Sequence, residues 1–156
     1  MTAQNEKFKL RKGQTDYTNV RWAPVINCIL RFKGKILLVQ RSKELNFYPG
    51  YWNGISGFLD DSRSLNDKIT DEIKEELGIP KNKIKSICFG EIFDQDEPKY
   101  RKTWIVHPVL VEVATDKITL DFEAKSFGWF SPSRVAKLKL LPGFDGVLKR
   151  LSKFLK

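Results

Sequence analysis

Glu72, Glu75 and Glu76 stand at i, i+3 and i+4. On a helix that spacing gathers three carboxylates within about 100° of arc on one face. Like charges so placed repel by about a few tenths of a kcal/mol per pair. A cation offsets that repulsion, and an oxygen-only donor set of this density suits Mg²⁺ or Mn²⁺, hard ions that also bind phosphates. On these residues alone the alternative is a solvated acidic face, with Lys68 and Lys74 as salt-bridge neighbours.

The elements that must carry these residues follow from periodicity. Ser64 with Asp67 three residues later resembles a capping box with Asp in the place of Glu or Gln. Leu65, Ile69, Ile73 and Leu77 recur at i+4, and Gly78 followed by Pro80 ends the helix. Upstream, Val25 to Phe32 and Ile36 to Gln40 are β-rich runs around Lys33-Gly34-Lys35, which predicts a hairpin. The segment from Ser42 to Gly54 has Pro-Gly punctuation and four aromatics, and reads as a loop. A β-rich run from Ile84 to Phe93 leads into a polar loop, Asp94 to Lys99, and Thr103 to Val113 is a further strand. Phe127-Gly128-Trp129-Phe130 precedes Ser131-Pro132, a helix start with Ser at the N-cap and Pro at the first turn. From about Gly143, Val147, Leu148, Leu151, Phe154 and Leu155 share a face, which predicts an amphipathic helix packed on the core. Residues 1–19 read as an arm with at most one short strand, and residues 20–156 as a single mixed α+β domain.

Composition sets outer bounds. The 156 residues are 41% apolar and 30% charged, which fits a globular domain with a real core. Cys28 and Cys88 lie far apart without a CxxC or Cys/His cluster, which argues against a disulfide scaffold or a zinc site of usual spacing and fits a cytoplasmic protein. No secretory signal or membrane-spanning run is visible. The 28 Lys and Arg against 19 Asp and Glu give +9, a balance that favours an anionic partner.

Read from Gly57, the segment GFLDDSRSLNDKITDEIKEELGI resembles the Nudix box, G-x5-E-x7-R-E-U-x-E-E-x-G-U with U aliphatic. Seven of nine specified positions agree: Gly57, Glu72, Ile73, Glu75, Glu76, Gly78 and Ile79. At ordinary residue frequencies such a match is at most roughly a 1-in-1,000 accident. The resemblance extends through the upstream hairpin, the Pro49-Gly50-Tyr51-Trp52 loop and Trp129-Phe130-Ser131-Pro132, and so covers nearly all of residues 20–156. It implies a Nudix-type α/β/α sandwich with a mixed central sheet.

It also implies a hydrolase that cleaves a pyrophosphate linkage, typically in a nucleoside diphosphate joined to another group, with Mg²⁺ or Mn²⁺ as cofactor. Carried over by position, Glu75 and Glu76 match metal ligands, and Glu72 matches a ligand or the general base. The carbonyl of Ser56 matches a further ligand. Glu123, six residues before Trp129, fits a late-loop carboxylate, with Asp121 as its substitute. The physical logic is that a polyanionic substrate repels an attacking hydroxide until cations neutralise it, and a Glu within reach can take the proton.

Two box positions depart. Arg63 stands where the box has Glu, and Asp71 where it has Arg. The expectation is an ion pair of reversed polarity; the alternative is that both positions are relaxed, since surface pairs contribute little. The reversal removes a carboxylate near the metal and the arginine beside Glu72, which makes a non-catalytic nucleotide-binding module the main rival. An enzyme resembling isopentenyl-diphosphate isomerase ranks lower, because residues 48–61 hold no Cys. Arg41, Lys99, Arg101 and Lys102 are candidate phosphate ligands, with Arg41 favoured because it follows a strand beside the loop. Tyr51 and Trp52, with Phe47 and Tyr48, offer stacking for a base, although packing is the commoner use of such rings. His107 reads as a hydrogen-bonded core residue, and Cys28 and Cys88 as small buried hydrophobes. The expected partner is a small nucleotide-like diphosphate. RNA is encouraged only by charge, no membrane partner is expected, and a homodimer is common among relatives.

Overall fold

The β-branched run after Trp22 forms β1 (Trp22–Phe32), which turns back into β2 (Lys35–Arg41). Lys33 and Gly34 form the turn at φ 48° and 79°, and two consecutive positive φ values give a two-residue hairpin the twist its strands need. The computed structural model describes residues 12–155; residues 1–11 of the expected arm lie outside the described residues. Residues 12–19 contain turns and no strand.

After the aromatic loop come β3 (Trp52–Asn53) and β4 (Ile55–Phe58), then helix α1 (Leu65–Leu77). Strands β5 (Ile84–Phe89), β6 (Phe93–Glu97), β7 (Lys102–Val113) and β8 (Ala124–Phe130) follow, then the short helix α2 (Pro132–Val135) and helix α3 (Phe144–Leu155). All eight described strands join one sheet, whose main path is β3-β2-β1-β7-β5, with β4 on β1, β6 on β7 and β8 on β2. The β1–β7 pairing is parallel while the others are antiparallel, so the sheet is mixed.

The two faces of the sheet follow the period of two. Ile26, Cys28 and Leu30 of β1, Leu37 and Val39 of β2, and Val109, Val111 and Val113 of β7 pack with Ile69, Ile73 and Leu77 of α1. The alternate residues Ile29, Ile36, Leu38, Val106 and Leu110 pack with Phe144, Val147 and Leu151 of α3. The result is the expected α/β/α sandwich, and the basic C-terminal helix spends its apolar face on the core.

Three local expectations are corrected. The predicted polar loop from Asp94 is mostly strand: Phe93 to Glu97 pair with Lys102 to Val106 as an edge of the sheet. The alternation of half-buried Phe93, Gln95 and Glu97 with exposed Asp94 and Asp96 fits a half-solvated strand, so polar content alone misled. The run before it breaks at Gly90, where a Cβ would lie 2.9 Å from the Arg150 carbonyl oxygen, so α3 fits only against bare backbone. Cys88 is half-buried rather than buried; Cys28 is fully buried.

Lys102, a candidate phosphate ligand, is 1% exposed, and its ammonium donates to the carbonyls of Tyr17, Thr18 and Val20. The Tyr17 hydroxyl donates to the Leu59 carbonyl at 2.9 Å. The described part of the arm is thereby tied to β7 and to the end of β4. Lys102→Met should lower the unfolding free energy by about 1–3 kcal/mol, the cost of orphaning such acceptors, as measured by urea denaturation.

Candidate active site

The site begins with the register of α1. Ser64 caps the helix by accepting the Asp67 amide at 3.1 Å, and Gly78, at φ 71°, returns its N–H to the Lys74 carbonyl. Ile69, Ile73 and Leu77 are fully buried, each stabilised by about 1.5–3 kcal/mol. That anchoring exceeds the few tenths of a kcal/mol of repulsion among the glutamates, about per pair. Packing therefore decides where the carboxylates point. Glu72 and Glu76 are half-buried at the edge of this face, and Glu75 is exposed.

A second segment meets the end of the helix. The amides of Thr119 and Asp121 donate to the carbonyls of Leu77 and Glu76, at 2.9 and 3.2 Å. The Ser42 amide donates to the Glu123 carbonyl at 2.9 Å, and β8 then starts with Ala124 opposite Arg41. Glu123 is so brought over the helix, and one oxygen from each of Glu72, Glu76 and Glu123 lies within 4.8 Å of the others. Oxygens around one Mg²⁺ stand about 3–4.2 Å apart, so the three carboxylates lie near the spacing that an ion would need. Gly57 permits the approach: a Cβ there would sit 3.1 Å from Glu72 Cδ. Beside the trio, Arg41, Ser56, Glu76, Asp121 and Glu123 line one pocket, floored by Val39, Ile55 and Leu77.

The electrostatics fit a cation. Burial pushes the Glu76 carboxyl well above its ordinary value, and the charge of Glu123, a hydrogen bond to it, and the charges of Glu72 and Asp121 act in the same direction. Asp121 is pushed up to about 6, first by burial and then by Glu123, Glu72 and Glu75, against the Glu123 amide that it accepts. Burial and crowding thus favour the protonated form of Glu76, and a divalent ion bound there would favour the charged form instead. Arg41 is in the same pocket, held by its Nε donating to the Phe47 carbonyl at 3.0 Å. Its burial lowers its pKa, and the nearby Glu123 and Glu76 oppose that.

Two cations brace the helix from outside the trio. Arg63 Nη1 lies 2.8 Å from Asp71 Oδ2, and Arg63 Nη2 lies 2.8 Å from Asp61 Oδ2. Hydrogen bonds from the Arg63 side chain and from its amide hold the Asp61 carboxyl down at about 2. Lys68 Nζ lies 2.9 Å from Glu72 Oε1 and 3.4 Å from Asp60 Oδ1. Burial would depress the Lys68 pKa, yet Glu72 and Asp60 outweigh it and hold the ammonium above its ordinary value.

The sequence profile of the NUDIX domain matches residues 20–151, most of the chain. The chain belongs to the Nudix family. An uncharacterized Nudix hydrolase of Bacillus subtilis (strain 168), YvcI, is 24% identical over 131 residues, 83% of this chain and 78% of that one. The fold is similar to the crystal structure of a MutT NUDIX hydrolase from Burkholderia pseudomallei, at TM-score 0.72 and 18% identity, covering 84% of this chain and 98% of that one. It is also similar to a bifunctional NMN adenylyltransferase/ADP ribose pyrophosphatase from Francisella tularensis complexed with AMP and a Mn ion, at TM-score 0.69 and 17% identity, covering 98% of this chain and 45% of that one.

On this Nudix frame, the residues named from sequence divide into those that converge and those that do not. Glu72, Glu76 and Glu123 meet, and Arg41 and Ser56 line the adjoining pocket. Glu75 lies outside the trio. Lys99 and Arg101 are exposed on the turn between β6 and β7, and neither lines the pocket. Lys99 Nζ instead stands 5.4 Å from the Tyr100 ring centre. Tyr51 has Lys139 Nζ 4.4 Å from its ring centre, and Trp52 meets the Phe130 ring edge-on at 5.5 Å. The rings thus pack rather than line the pocket, as do Phe47 and Tyr48 around Trp104. His107 Nδ1 is 3.1 Å from the Val25 carbonyl oxygen.

Sequence reasoning passed over Asp60, whose carboxylate shares the Lys68 ammonium, and the buried Asn27–Asn53 amide pair (2.9 Å) that precedes Ser56 and Gly57. The signal for Lys68 was its place one turn before Glu72 on the buried side of the helix.

Two outcomes are expected. A double-mutant cycle on Arg63 and Asp71 should give a coupling below about 1 kcal/mol, because the pair is partly solvated and Arg63 retains Asp61. Asp121 carries a raised pKa, so its contribution to stability is present below about 4 and is lost as pH rises through about 6. In chelator, thermal unfolding of Asp121→Asn should therefore depend less on pH between about 4 and 7 than that of the parent chain.

Proposed function

We propose that the chain is a divalent-cation-dependent hydrolase that cleaves the diphosphate linkage of a nucleoside-diphosphate-type small molecule. The observation that carries this is the meeting of Glu72, Glu76 and Glu123 from two separate segments beside a pocket that also holds Arg41. Oxygen-only donors at this spacing suit Mg²⁺ or Mn²⁺ rather than a soft metal. When bound, such an ion supplies Lewis-acid neutralisation of the phosphates and a more acidic water.

The chain's own residues have distinct parts in this reading. Glu72, Glu76 and Glu123 hold the ion, with the Ser56 carbonyl as a further donor at the pocket wall. Glu75, on the exposed rim, supplies another ligand or accepts the proton of the attacking water. Arg41, fixed by the Phe47 carbonyl, presents its remaining guanidinium N–H groups to a phosphate. The Arg63–Asp71 reversal leaves this arrangement intact, since the pair braces the loop and α1 outside the trio. That favours catalysis over the non-catalytic binding module, for which the reversal was the main motive.

The test is a panel of nucleotide diphosphate derivatives with Mg²⁺ or Mn²⁺, scoring released phosphate and nucleoside monophosphate. Glu76→Gln and Glu72→Gln should each lower kcat/KM by about 100-fold or more. Nucleotide binding without turnover by the parent chain would establish the binding module instead. Undiminished turnover in both variants would refute the assignment of the ion site.

A further inference from the structure

Lys68, like Lys102, is one of the two buried lysines among the described residues. It is 4% exposed, although a lysine on a helix ordinarily extends its ammonium to water. Its ammonium instead ends between two carboxylates, 2.9 Å from Glu72 Oε1 and 3.4 Å from Asp60 Oδ1. Burying a charge is costly, and pairing with hydrogen-bonded partners is what offsets it. Asp60 is itself held from the far side, by Gln14 Nε2 donating to its Oδ2 at 3.4 Å and by the Thr15 amide donating to its carbonyl at 2.6 Å. Glu72 Oε1 is enclosed as well, since a Cβ on Gly57 would lie 3.2 Å from the same atom. Among the described ion pairs, Lys68–Glu72 is the one that reaches the trio.

We propose that Lys68 is a resident counter-cation of the carboxylate site: a positioning residue that fixes Glu72 and moderates the pull of that carboxylate on a divalent ion. It rests on the reading of Glu72, Glu76 and Glu123 as a cation site. A fixed positive charge beside Glu72 has two effects of opposite sign. It restrains the glutamate to one orientation, which favours turnover, and it repels a second cation, which weakens ion binding. A residue that only filled space would show neither the opposition nor any sensitivity to charge at constant size. The balance also tunes the ion for release and exchange, because the helix need not rely on the metal to keep Glu72 in place.

The experiment is Mn²⁺ titration of the full chain, with free Mn²⁺ read by electron paramagnetic resonance and folding checked by thermal unfolding. Lys68→Gln and Lys68→Ala should bind Mn²⁺ about tenfold more tightly than the parent, while kcat falls. Lys68→Arg should restore affinity to within about twofold of the parent, because it keeps the charge. Lys68→Gln decides the matter if Lys68→Ala does not fold, since it keeps most of the side-chain length and a donor. Unchanged or weaker Mn²⁺ binding in the neutral variants overturns the role of Lys68 alone. Absence of Mn²⁺ binding by the parent chain overturns the cation site and this inference together.

Discussion

Three carboxylates whose oxygens lie within 4.8 Å in a half-buried pocket either have something positive beside them or give up part of their charge to a proton. The local structure is arranged around that constraint. Helix α1 holds Glu72 and Glu76 one turn apart because Ile69, Ile73 and Leu77 fix its rotation in the core. The chain after α1 hydrogen-bonds back to the last helical carbonyls and carries Glu123 into place. Gly57 leaves the gap that Glu72 needs. Burial first, and then the crowding by Glu123, Glu72 and Asp121, raises the Glu76 carboxyl, and a divalent cation would relieve that tension. Rigid placement of repelling groups requires that the scaffold be much stronger than the repulsion. Three fully buried aliphatic side chains on one short helix meet that condition.

The charge reversal at Arg63 and Asp71 becomes intelligible from the same geometry. An ion pair that ties a loop to a helix works with either polarity, provided that the rest of the neighbourhood matches. Here it matches because Asp61 lies two residues before Arg63 and shares its guanidinium. With arginine in the loop, Asp61 adds a second acceptor and holds the fork in one orientation; with a loop carboxylate in that position, Asp61 would repel it. The positive charge next to Glu72 then comes from Lys68, one helical turn earlier, rather than from the residue immediately before it. Neighbouring residues thus accommodate a swap that looks damaging when positions are read one at a time.

Much of this was legible in the sequence, for identifiable reasons. The hairpin, α1 with both caps, the long parallel strand β7 and the packing of α3 all rest on strong periodicity and turn chemistry, and each lies where that chemistry put it. Strand β6 was not legible, because Asp94 and Asp96 point to solvent from an edge whose pairing partner is set by tertiary structure. Lys102 was misread for a related reason. Its ammonium meets backbone carbonyls of a distant segment, and no local pattern announces that a lysine will be enclosed. The aromatic loop shows the same limit, since Phe47, Tyr48 and Trp104 come together only after β7 has crossed beside β1. For the site, helical spacing pointed to Glu72, Glu75 and Glu76 together, of which Glu75 lies outside the trio, whereas Glu123 depended on family resemblance. The hydrogen bonds that place Glu123 run from Thr119, Asp121 and Ser42, none of which is periodic.

The net charge of +9 and the acidic pocket act over different distances. Exposed lysines and arginines are screened within about 8–10 Å at ordinary ionic strength, so their field draws anions toward the molecule without selecting a site. The half-buried carboxylates are screened far less, and by themselves they would turn an arriving diphosphate away. A bound divalent ion would cancel most of that near field, to which Arg41 and Lys68 contribute two further positive charges. On the proposed reading, such a site would attract a polyanion in general but admit it only when loaded. In the proposed role of Lys68, an internal ammonium beside Glu72 would set how readily the loading occurs, independently of the charge that steers the substrate.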